Sequence, residues 1–103
     1  LHKLNGMWAF AIYDKHENTV FCARDRFGVK PFYYYVDDEY FYFASEIPSI
    51  FAVLKDKSSA DYQAIFDFLV FNKTEQGSNT FFSGVYKLLN GNYININLND
   101  NNF

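Results

Sequence analysis

Ala23-Arg24-Asp25-Arg26-Phe27-Gly28-Val29-Lys30-Pro31-Phe32 is a polar loop set between two apolar runs. Thr19-Val20-Phe21-Cys22-Ala23 precedes it and Phe32-Tyr33-Tyr34-Tyr35-Val36 follows, both β-branched or aromatic and short, so the spacing predicts a strand on either side. Gly28 can take the positive φ that a tight reversal needs, and Pro31, lacking an N–H, suits the first position of a strand rather than its middle. Arg24, Asp25, Arg26 and Lys30 crowd four charges beside this aromatic surface. Arg24 ends a strand with apolar neighbours and calls for a carboxylate partner, while Asp25 is expected to accept backbone N–H groups within the loop, as short acidic side chains do in turns.

The chain has 103 residues, one small domain at most. Aromatic residues make up 22%, with 13 Phe and 9 Tyr, which excludes a disordered chain. A net charge of −3 leaves no basic footprint for nucleic acid. No apolar run reaches the ~18 residues of a membrane span and no signal peptide is visible, so a cytoplasmic location is expected, in keeping with a single cysteine.

Working outward from the loop, Met7 to Tyr13, Thr19 to Arg24, Phe32 to Val36 and Tyr40 to Ala44 read as four strands joined by polar turns, an antiparallel meander. Trp8, Phe10 and Ile12 alternate with Met7, Ala9, Ala11 and Tyr13, and neither set is polar, so both faces of the sheet are expected to be covered. In such a meander the end of the second strand meets the end of the fourth, which predicts an ion pair of Glu46 with Arg24, or failing that with Arg26.

Ser45-Glu46-Ile47-Pro48 reads as a helix start with Ser45 as N-cap, the helix running through Ile50, Phe51, Val53 and Leu54. A charged turn, Lys55-Asp56-Lys57, precedes a second start at Ser58-Ser59, and Tyr62, Ile65, Phe66 and Leu69 recur at helical spacing to about Phe71. Asn72 to Asn79 is a polar loop. Tyr93 to Leu98 alternates as a half-exposed strand, the Asn-rich end has nothing to pack with, and Asn99 to Asn102 reads as a hairpin turn whose second strand is cut away. Two helices cannot cover two faces of an aromatic sheet. The fold class is therefore α+β, within a piece of a larger polypeptide truncated at both ends; a small domain dimerising through its apolar face is the alternative.

Leu4 to Asp14 (LNGMWAFAIYD), Ala23 to Tyr33 (ARDRFGVKPFY) and Phe43 to Ile47 (FASEI) together resemble the later part of the glutaminase domain of glutamine-dependent asparagine synthetases. Thr80 to Tyr93 is similar to the region near that domain's end, where a Leu-Pro-Pro-Gly turn is usual; here Leu89 and Asn90 replace the prolines and Gly91 is kept. The resemblance implies a four-layer αββα N-terminal-nucleophile fold. It also implies, for the full-length enzyme, an N-terminal cysteine that hydrolyses glutamine with the chain's α-amino group as base, and a synthetase domain that uses ATP and Mg. The partners implied are the rest of the polypeptide, glutamine as substrate, and further copies in a homo-oligomer.

None of that catalytic apparatus is expected within these residues. Residue 1 is Leu, and Cys22 lies inside a strand, so it reads as a small buried hydrophobe. Asn5-Gly6 and Asn90-Gly91 are not followed by the Glu of the family's oxyanion segment, and no Ser-Gly-Gly pyrophosphate loop occurs. His2 and His16 lack metal-ligand spacing, Asp37-Asp38-Glu39 reads as a charged hairpin tip, and Tyr33-Tyr34-Tyr35 cannot form one stacking platform because alternation sends Tyr34 to the opposite face. Catalytic, cofactor and metal residues are thus expected to be absent, and Arg24, Asp25, Gly28 and Glu46 are expected to organise structure. Two other readings remain: a noncatalytic interaction module, and a glutaminase serving another amidotransferase, one acting on sugar or polysaccharide precursors.

Overall fold

A computed structural model describes residues 1–54, 59–74 and 77–100. Among the described residues it is α+β, with two antiparallel three-stranded sheets and two helices, and the chain divides into two compact units: residues 1–32 with 88–103, and residues 33–87.

In the first unit, β1 (Ala9–Asp14) and β2 (Thr19–Arg24) form a hairpin, with Phe10 opposite Ala23 and Ile12 opposite Phe21. Asp14 shapes its turn by accepting the N–H groups of His16 and Glu17, and Asn18 supplies a left-handed residue at φ 52°. On the other edge of β2 lies β6 (Tyr93–Asn97), antiparallel, with Cys22 opposite Ile94. One face carries a run of tilted rings, Trp8–Phe10–Phe21–Tyr93, with centroids 5.2, 6.3 and 5.5 Å apart. The opposite face holds Ala11, Cys22 and Ile94 in line, and Cys22 is fully buried.

The second unit holds β3 (Tyr33–Val36) between β4 (Phe41–Ala44) and β5 (Val85–Lys87). Tyr34 packs against Phe41 and Tyr86 on one face, and Tyr35 against Tyr42 on the other, as strand alternation requires. Helix α1 (Ile47–Phe51) lies on β3 and β4 and buries Ile50; Pro48 fits its first turn, where a missing N–H costs nothing. Helix α2 (Tyr62–Phe71) is capped by Asp61, whose side chain accepts the Ala64 N–H, and ends at Asn72 in the left-handed conformation. Phe68 meets Phe81 edge-on at 5.4 Å, and Phe51 meets Phe82 at 4.9 Å.

Three expectations are corrected. The single four-stranded meander does not form: both edges of β2 are taken by β1 and β6, and both edges of β3 by β4 and β5, so β2 and β3 belong to different sheets. The Asn-rich end is not without a partner, because β6 completes the first sheet and the Asn99 side chain bonds Asn18 and the Glu17 carbonyl. Finally, α1 stops at Phe51 and Glu46, not Ser45, occupies its N-cap position, without a side-chain cap. The predicted turn at Lys55-Asp56-Lys57, Ser58 of the predicted helix start, and Asn101 and Asn102 of the terminal turn lie outside the described residues.

Candidate functional site: the loop that follows β2

The chain leaves the first sheet at Arg24 and enters the second at Tyr33, so residues 25–32 carry it from one sheet to the other. A segment that turns without ladder partners must satisfy its backbone donors and acceptors some other way. Here two adjacent side chains divide that work by polarity.

Asp25 collects the donors. Its Oδ1 accepts from the N–H groups of Phe27 (3.0 Å) and Val29 (3.1 Å), and its Oδ2 from Lys30 (3.0 Å) and Trp8 (3.3 Å). Its own N–H donates to the Trp8 carbonyl at 2.8 Å, and its carbonyl accepts from Gly28 (3.0 Å) and Gly91 (2.9 Å). The side chain is 1% exposed. The Lys30 N–H foremost, with those of Val29, Phe27 and Trp8, holds its carboxyl below the usual carboxylate range although burial pushes the other way.

Arg24 collects the acceptors. Its Nε donates to the Lys30 carbonyl at 2.7 Å, Nη1 to Leu88 at 2.7 Å and Nη2 to Gly28 at 2.6 Å. The rigid fork of a guanidinium suits three carbonyls at fixed directions, which a single ammonium cannot match. Lys30 is held from both sides, N–H to Asp25 and C=O to Arg24. Glu46 is exposed at the start of α1, in the other unit. The meander from which its contact with Arg24 follows is not formed.

Gly28 sits at φ +63°, and a Cβ built there would meet the Asn90 side chain. Gly28→Ala should therefore cost about 1–2 kcal/mol for the left-handed backbone alone, with displacement of Asn90 added. In denaturant unfolding, Asn90→Ala placed in the same chain should recover the displacement part and leave the backbone part. Full recovery would show that Gly28 is kept only for space.

Sequence reasoning missed Leu88, Asn90 and Gly91 as members of this loop's surroundings. The available signal was the alternation of Tyr93 to Leu98, which marks a half-exposed strand in need of a partner; pairing it with β2 carries residues 88–92 to the loop.

The arrangement holds backbone: these Arg24 and Asp25 side-chain hydrogen bonds all go to main-chain groups. Cys22 is buried and desolvation pushes its thiol up to about 11, away from the thiolate a nucleophile needs. Among the described residues no group of three or more His, Cys, Asp or Glu could hold a metal ion. No helix is long and apolar enough to cross a membrane, among those residues.

The profile of the glutamine amidotransferase domain matches residues 1–103, the whole chain. The chain belongs to the glutamine amidotransferase family. Among its relatives, asparagine synthetase [glutamine-hydrolyzing] 2 of Bacillus subtilis is 37% identical over 93% of this amidotransferase chain and 13% of the relative. Asparagine synthetase [glutamine-hydrolyzing] 3 of the same organism is 35% identical over 82% of the chain and 14% of the relative. Amidase chry2 of Gibberella zeae is 33% identical over 88% of the chain and 13% of the relative. These matches put the chain in the glutamine amidotransferase domain of the asparagine synthetase family, and it spans about an eighth of the length of the relatives.

Proposed function

We propose that these residues are the later part of the glutaminase domain of a glutamine-hydrolysing asparagine synthetase, providing its sheet and loop framework, with the nucleophile and oxyanion donors supplied elsewhere in the polypeptide. The observation that carries this is the match of all 103 residues to the amidotransferase domain, together with relatives named as asparagine synthetases. Two antiparallel sheets with two helices are compatible with part of a four-layer N-terminal-nucleophile fold. In the full enzyme, glutamine is hydrolysed and the ammonia passes to a synthetase domain that uses ATP and Mg, in a cytoplasmic homo-oligomer. Arg24, Asp25, Gly28 and Glu46 are structural in this reading, and none touches glutamine. The relative named as an amidase keeps a second reading in play, in which the same glutaminase serves another acceptor.

Ammonia release from glutamine tests the proposal. The full polypeptide is expected to release ammonia and residues 1–103 alone are not, since Cys22 is buried and its thiol is pushed up to about 11. Release by residues 1–103 that Cys22→Ala abolishes would overturn the reading. Aspartate with ATP and Mg is the expected acceptor reaction; ammonia release without asparagine formation favours the second reading.

A further inference from the structure

Asn-Gly occurs twice in the chain, at Asn5-Gly6 and Asn90-Gly91. This dipeptide is the one most open to internal attack, because glycine, lacking a Cβ, leaves its backbone nitrogen unhindered and free to rotate toward the preceding side chain.

The structure treats the two dipeptides differently. The Gly91 N–H donates to the Asp25 carbonyl at 2.9 Å, and the Asn90 side chain lies where a Gly28 Cβ would be. Flanking bonds from Arg24 Nη1 to Leu88 (2.7 Å) and from the Asn92 N–H to Leu89 (3.1 Å) hold the same turn. The Gly91 nitrogen therefore points at an acceptor, and its neighbour's side chain is wedged. Asn5 and Gly6 are both exposed. Gly6 stands at φ +112° with nothing within 4 Å of a built Cβ, and its N–H has no hydrogen-bond partner among the described residues.

We propose that Asn5 is a site of spontaneous deamidation and that Asn90 is protected from the same reaction by the Asp25 loop. The Gly6 nitrogen loses its proton and attacks Cγ of Asn5; a C–N bond forms and the side-chain nitrogen leaves as ammonia. Water then opens the five-membered succinimide at either carbonyl, giving aspartate or isoaspartate. Water is the only co-reactant, and nothing is oxidised or reduced. The new carboxylate arises in a cleft of about 210 Å³ that Asn5 shares with Arg26, Trp8 and Phe27. Isoaspartate also lengthens the main chain just ahead of Trp8, whose N–H and carbonyl are both tied to Asp25.

The test is peptide mapping by mass spectrometry of the polypeptide that carries residues 1–103, aged in mildly alkaline buffer. Tryptic peptides starting at Leu4 and Leu88 separate the two sites. In the folded protein Asn5 should convert about tenfold or more faster than Asn90, since reaction at Asn90 must wait for the turn to open. In concentrated urea the two rates should converge, and Asn5→Gln should remove the product from the first peptide only. Equal rates in the folded protein, or faster conversion of Asn90, would overturn the proposal.

Discussion

Asp25→Ala will lower the melting temperature by on the order of 10 °C. The substitution removes the acceptor of four backbone N–H groups, those of Trp8, Phe27, Val29 and Lys30, at a side chain 1% exposed. Alanine offers no replacement, and a donor stranded away from water costs more than a bond lost together with its partner. Asp25→Asn should fall between, keeping one acceptor oxygen and turning an amide N–H₂ toward donors. The folded protein holds the Asp25 carboxyl below its usual range, so its contribution is complete above the ordinary carboxylate pKa and is lost as pH falls through the lowered folded value. Asp25→Ala should thus be most damaging near neutrality, and its gap from the parent should narrow in acid. A gap that stays constant into strong acid would show that the anionic carboxylate is not what matters.

Arg24→Ala will cost about 3 kcal/mol, read from denaturant unfolding. Three carbonyls, of Gly28, Lys30 and Leu88, lose a charged donor together, and two of these contacts are partly buried. Arg24→Lys keeps the charge but presents one ammonium in place of a planar fork, so it should recover less than half of the loss. Recovery of nearly all of it would mean that charge, rather than the geometry of the three bonds, is what the loop requires. Asp25 and Arg24 both hold Lys30, so the two alanine substitutions should not add.

The local elements were legible because their signals are local. Periodicity marked the strands on either side of residues 24–32, the helical spacing of Tyr62, Ile65, Phe66 and Leu69 marked α2, and the positive φ expected of Gly28 is found at +63°, although the strands it separates do not pair. Which strands pair was not legible. Four consecutive strands read most simply as one meander, and nothing in Thr19 to Arg24 announces that its second edge belongs to Tyr93 to Asn97, some seventy residues later. That one long-range pairing closes β2, sends β3 into another sheet, and removes the premise of an Arg24–Glu46 contact. It also brings Leu88, Asn90 and Gly91 to the loop. The charge at Arg24 suggested a carboxylate partner, whereas its fork is matched by main-chain carbonyls; Asp25, read as an acceptor of loop N–H groups, accepts those of Phe27, Val29 and Lys30. The resemblance to the asparagine synthetases rested on four ordered stretches of sequence. It needs no topology, so it holds whichever strands pair.

Amide hydrogen exchange at Trp8, Phe27, Val29 and Lys30, followed by NMR, tests most directly whether a single carboxylate anchors the loop of residues 25–32. All four amides should exchange slowly in the parent and lose that protection together in Asp25→Ala, while amides in the middle of β2 stay protected. Exchange of the four at open-peptide rates in the parent, or their survival unchanged in Asp25→Ala, would contradict the anchoring role of Asp25.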